Sequence, residues 1–243
     1  MNNVILSKEK FFNILKQTEL FKNVDNKVLY RLIETYPIQK WSKNDSIDYA
    51  IGLKYCYILI SGHIKLTKID PKTGRSITPF ILQKGDLYDF FTLLDGKEHI
   101  SFPIVLNEVS ALKVPIDDMR MLIKSDYELN ISFLPYLGEK MRNLEEFGES
   151  LVFDDTATRL SKLILKHTVP SEDENFHPVK LINKLSHETL AEMIGSVRSV
   201  ITTQMNKLKK ENIIVSNRGY LVVKEFEKLI EKCDNFLENR VIN

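Results

Sequence analysis

Leu185 to Val223 reads LSHETLAEMIGSVRSVITTQMNKLKKENIIVSNRGYLVV, and the spacing within it sets the expectation for the whole chain. Ser186 stands where a helix beginning at His187 needs an N-cap oxygen. Thr189 follows by three, where a full capping box would carry Glu or Gln. Leu190 and Ile194 form an apolar stripe, and Ala191 is small where a second helix must cross closely. Gly195 comes one turn later, where the chain reverses and positive φ is useful. A second helix is expected from Val197 or Arg198, with Ile201, Met205 and Leu208 pointing inward. That leaves Arg198, Ser199, Thr202 and Thr203 near its exposed N-terminal end. NIIV, the turn Ser216-Asn217-Arg218-Gly219 and YLVV then predict a hairpin. Gln204 is the misfit: its place in the second helix is usually apolar, so its amide must face water or find a partner.

A helix-turn-helix presents the start of its second helix to base edges in the major groove. Arginine suits bidentate contact with guanine, and serine and threonine contact several bases or phosphates. A hairpin after that helix is a wing, and Arg218 at its tip is placed to meet backbone phosphate. Ser186 joins Arg198, Ser199, Thr202, Thr203 and Arg218 as the expected DNA contacts. The net charge of +1 gives no bulk argument for nucleic acid, but its distribution does. Lys184 to Lys224 carries seven basic residues against three acids, a local +4 on a body of −3.

The 243 residues suit one large domain or two modest ones, and the 43% apolar and 28% charged content is that of a globular protein. No apolar run approaches the roughly 20 residues of a membrane span, and MNNVILSKEKFF lacks the order of a secretory signal. A soluble, cytoplasmic protein is expected. The two cysteines, Cys56 and Cys233, form no CxxC and no four-thiolate metal site. Nucleophile elbows, phosphate-binding loops and paired metal ligands are missing, so an enzyme is not expected.

Residues near 7–35 have helical spacing, with Ser7 and Asp25 as N-caps. From about Trp41 short β-rich runs follow: YCYILI, HIKLTKI, ITPFIL, SFPIVL and SALKVP, separated by glycine- and proline-bearing turns. They predict a compact antiparallel sandwich or roll. IDDMRMLI is a short amphipathic helix, and a long one runs on to about Leu151. In it Leu134, Leu137, Met141, Leu144, Gly148 and Leu151 alternate spacings of three and four, the seam of a helical dimer. A helix packed on its own domain stays open as the alternative. FDDTATRLSKLILKHTV starts another helix capped by Asp154 or Asp155, and PSEDENFHPV is expected to be an exposed connection.

YILISGHIKLTKIDPKTGR, KGDLYDFF, TATRLSKLILKH and the block Ala191 to Leu208 together resemble the superfamily of the cyclic-AMP receptor protein and the fumarate–nitrate regulator, Crp/Fnr, over nearly the whole chain. The resemblance implies an α+β fold with three parts: a double-stranded β-helix (β-roll) sensor with its N-terminal helices over 1–125, a dimerisation helix over 126–152, and a winged helix-turn-helix domain with a C-terminal helix over 153–243. It implies a homodimeric transcription regulator on palindromic double-stranded DNA, switched by a small effector or a redox or gas signal, with RNA polymerase as a further partner. The effector cassette departs from the family. The positions of the ribose-binding Gly-Glu pair are Asp89 and Phe90, and the phosphate-binding arginine falls near Ile100, which argues against cyclic AMP. No cysteine precedes Cys56, which excludes the iron–sulfur branch, and Phe91 stands at the gas-sensing branch's haem histidine. Haem through another ligand, with His99 as candidate, stays open, as does a haem-dependent nitric-oxide or gas sensor. His63 is expected to share a solvent face with Lys65. Tyr88, Phe90, Phe91, His99 and Phe102 are the expected effector pocket, with some of the aromatics serving only as core. The rival from another class is a small-molecule-binding signalling module that acts through protein contacts.

Overall fold

The computed structural model describes residues 8–173, 176–217 and 219–234. Ser7 and Arg218, assigned above to a cap and to the wing, lie outside the described residues. The chain divides into two compact units: residues up to Gly74 with Pro79–Asn143, and Arg75–Thr78 with the chain from Leu144 onward.

The first unit opens with α1 (Lys8–Lys16) and α2 (Asn26–Thr35). Asp25 caps α2, its carboxylate accepting from Lys27 N at 2.7 Å, and Leu29, Leu32 and Ile33 form the buried stripe. Then come β1 (Ile38–Trp41), β2 (Tyr55–Ser61), β3 (Ile64–Ile69), β4 (Ser76–Leu82) and β5 (Leu87–Tyr88). The short helix α3 (Phe90–Asp95), β6 (Phe102–Val105), β7 (Val109–Pro115) and α4 (Ile116–Ser125) complete it up to the long α5 (Tyr127–Phe153). The strands form two antiparallel sheets, ordered β1-β7-β2-β5 and β4-β3-β6, around one core. Gly62, at φ +81°, joins β2 to β3; a Cβ there would lie 2.2 Å from the Glu108 carbonyl oxygen, so only glycine fits the turn.

Two expectations change here. Lys65 is buried, because β3 is the middle strand of its sheet, so Lys65 and His63 share no solvent face. His63 sits in the turn before β3 with its Nδ1 3.0 Å from the Asn107 amide. The strands at Ile38–Trp41 and Leu87–Tyr88 were not expected; each is short and is ordered by pairing with β7 and β2.

The faces of α5 revise the seam. Leu129, Ser132, Phe133 and Tyr136 are buried, and Leu137 packs against the same core. Tyr136 OH accepts from Leu87 N at 3.1 Å, and Lys140 Nζ donates to the Asp86 carboxylate. Another stripe is open: Tyr127, Ile131, Leu134, Met141, Leu144 and Val152 are exposed, and a Cβ at Gly148 would meet nothing. Leu134, Met141, Leu144 and Gly148 of the expected seam therefore belong to the open face. Leu137 does not, since it covers the unit's core, and Leu151 lies against Gly195, where a Cβ would come within 2.4 Å of it.

The second unit holds α6 (Thr156–Lys166), β8 (His177–Pro178), α7 (His187–Met193), α8 (Arg198–Lys210), β9 (Ile214–Asn217), β10 (Tyr220–Val223) and α9 (Phe226–Asp234). Asp155 is the α6 cap, accepting from Thr158 N at 2.8 Å. Leu160, Ile164, Leu190, Ala191, Ile201, Met205, Leu208, Leu221 and Leu229 meet in its core. The segment expected to be an exposed connection contributes β8, which pairs His177 with Val223 and Pro178 with Val222. His177 is buried there, with Nδ1 accepting from Ser171 N at 3.1 Å. A two-residue strand leaves no periodic signal; its partner β10 creates it.

Candidate nucleic-acid interface

The geometry of α7 and α8 follows from their caps and the turn between them. Ser186 Oγ accepts from Thr189 N at 3.1 Å and lies 3.1 Å from Thr189 Oγ1, so the Thr189 hydroxyl meets the cap side chain rather than the cap N–H that Glu or Gln reaches in a full capping box. α7 ends at Met193, and Gly195 turns the chain at φ +59°. The reversal lets Leu190 and Ala191 of α7 bury against Ile201 and Met205 of α8. Gln204 is half-buried at the edge of this contact and keeps access to water, so the misfit carries no orphaned amide.

Arg198, Ser199 and Thr203 are exposed on the first turns of α8, and Thr202 beside them is half-buried. Thr202 Oγ1 donates to Arg198 O at 2.9 Å and Thr203 Oγ1 to Ser199 O at 3.1 Å. His187 Nδ1 lies 2.9 Å from Thr202 Oγ1, a contact that the sequence reading did not anticipate. Burial lowers the His187 pKa from its ordinary value, and the positive charges of Lys209 and Arg198 push the same way. The hairpin β9–β10 pairs Asn217 with Tyr220 and Ile214 with Val223, which sets a wing after α8.

Residues 158–232 match the family model of the Crp-like helix-turn-helix domain. This domain and the relatives below support a regulator of the Crp/Fnr type. It is 27% identical over 173 residues to the global nitrogen regulator of Synechocystis sp. (strain ATCC 27184 / PCC 6803 / Kazusa), covering 69% of this chain and 75% of that protein. It is 25% identical over 179 residues to the transcriptional regulator SdrP of Thermus thermophilus, covering 74% and 84%. Among solved structures, a CooA mutant from Carboxydothermus hydrogenoformans superposes with a TM-score of 0.68 at 19% identity, over 82% of this chain and 88% of that one. The β-rich N-terminal part, long helix and helix-turn-helix are the architecture of this superfamily, and the chain is a DNA-binding regulator of that type.

In the expected effector cassette the aromatic side chains pack on one another. Phe90 and Phe91 stack with centroids 4.2 Å apart, Phe80 stands edge-on to both at 5.7 and 5.8 Å, and His99 lies 4.4 Å from Phe91. The buried Asp89 carboxylate caps α3, accepting from Phe91 N at 3.2 Å and Thr92 Oγ1 at 3.0 Å, and lies 3.1 Å from His99 Nδ1. Tyr88 is buried beside it, 6.2 Å from Tyr57. Phe102 is corrected: it is 42% exposed, since the alternation of β6 turns Pro103 and Val105 inward instead. Ile100 is exposed too, but Lys68, overlooked in the sequence, donates to its carbonyl oxygen. Burial lowers the Lys68 pKa, and Asp89 partly restores it. A lysine from β3 thus reaches the backbone of the cassette. The aromatic rings pack on one another and on His99, whose Nδ1 is engaged by the Asp89 carboxylate. Among the described residues no three His, Cys, Asp or Glu side chains gather as a metal site, and no helix is long and apolar enough to cross a membrane.

Proposed function

We propose that the protein is a homodimeric, sequence-specific transcription regulator that reads a palindromic duplex with the face of α8 that carries Arg198, Ser199, Thr202 and Thr203. The single observation that carries this reading is the presentation of α8: its apolar side is consumed by α7, and its first turns hold an arginine and hydroxyls out to solvent. Ser186 adds an exposed hydroxyl at the start of α7, and Arg218, outside the described residues, is the phosphate contact that the sequence assigns. The open stripe of α5 is the two-fold seam, which would hold two copies of α8 about one DNA turn apart, ~34 Å. The effector acts on the first unit, is not cyclic AMP, and shifts the population of DNA-competent dimers; RNA polymerase is the further partner.

The test is selection of a randomised duplex library by the full chain, followed by titration of the enriched duplex. Arg198→Ala should weaken that duplex by about tenfold or more and relax one base preference per half-site. Unchanged affinity and preference would remove Arg198 from the reading face.

A further inference from the structure

The two neighbouring threonines of α8 are not equivalent, and the difference comes from α7. A helical threonine commonly turns its hydroxyl back to the carbonyl four residues earlier, and both do so here. Alone, such a bond is readily exchanged for a better partner. Thr202 carries a second commitment. Its one hydroxyl proton goes to Arg198 O, so towards His187 Nδ1 its oxygen can only accept. His187 must then carry its proton on Nδ1 and donate it. The Thr202 hydroxyl is thereby held from both sides and half-buried, whereas Thr203 is exposed and bound only to Ser199 O.

We propose that His187 is a positioning residue for the reading face: it clamps the Thr202 hydroxyl against α8, leaving base discrimination to Arg198, Ser199 and Thr203. This rests on the DNA-reading function proposed above and adds a division of labour within it. With its proton on Ser199 O, Thr203 offers the groove acceptor lone pairs and a methyl group. Those groups match the amino hydrogens of adenine or cytosine and the methyl of thymine, and they offer nothing to the acceptors of guanine. Thr202 acts instead through the join of α7 to α8, so its loss touches all sequences alike.

The full chain is tested against the randomised double-stranded library and then against its enriched duplex by fluorescence anisotropy. Thr203→Ala, which removes both lone pairs and methyl, should change the preferred base at one position per half-site and cost about tenfold in affinity. Thr202→Val should keep the wild-type preference. His187→Ala should weaken binding several-fold with the ranking of bases unchanged, and His187→Asn, whose amide donates from near the Nδ1 position, should restore it. Because the pair acts as a unit, His187→Ala/Thr202→Val should bind no more weakly than Thr202→Val alone. A changed base preference in Thr202→Val, or strictly additive losses in the double variant, would overturn the proposal. Should His187→Ala not fold, the contrast between the two threonine variants decides alone. A wild-type chain that enriches no sequence would sink the DNA-reading function itself, a failure distinct from any pattern among the variants.

Discussion

Gly195 shows how much one residue can carry. Its φ of +59° is strained for any side chain, and an added Cβ would meet Leu151 Cδ2 at 2.4 Å. Gly195→Ala should destabilise the protein by about 1–3 kcal/mol, read from urea unfolding by circular dichroism. Adding Leu151→Ala should recover the part due to the clash and leave the backbone part; no recovery would mean that the contact is unimportant. His167, just past α6, makes a second residue-scale statement. Burial, then Lys166, lowers its pKa to about 4. The unfolded chain therefore takes up this proton at higher pH than the folded one, so stability is full above about pH 6.5 and is lost as pH falls towards 4. Discounted for partial exposure, the effect is about 1–2 kcal/mol. His167→Gln should flatten the fall in melting temperature between about pH 7.5 and pH 4.5; an unchanged fall would refute a buried neutral imidazole as its source.

Among the elements, α5 is the most instructive. It has two apolar stripes, and a three-four repeat cannot tell which of them a core will claim. The sequence-derived seam shares Leu134, Met141, Gly148 and, at its edge, Leu144 with the open face, but Leu137 and Leu151 are drawn to the other side by the packing of their own units. The open stripe runs Tyr127, Ile131, Leu134, Gly138, Met141, Glu145, Gly148, Val152, a strict four-three alternation. Met141→Asp, 72% exposed in the single chain, should leave the melting temperature of the monomer nearly unchanged and shift the mass measured by light scattering towards one chain. A dimer that survives it would place the interface elsewhere. β8 teaches the reverse lesson: an element too short to have a period exists only through its partner.

The charge distribution sets a test at the scale of the molecule. A +4 segment within a chain of net +1 focuses cations on the helix-turn-helix side. With about two phosphates neutralised per subunit, DNA affinity should fall about a hundredfold between ~50 and ~200 mM salt, linearly on logarithmic axes. A flat salt profile would favour the rival, a signalling module that works through protein contacts.

By itself the sequence determined the helix-turn-helix, its caps and turn, the hairpin that follows it and most of the strands. Those features rest on local chemistry: a cap oxygen, a glycine with positive φ, alternation along a strand. The tertiary structure alone decided which stripe of α5 stays open, that Phe102 faces outward and Lys68 reaches into the cassette, and that His187 holds Thr202. Each of these depends on what packs against a residue from far along the chain, and neighbours of that kind leave no mark in local spacing.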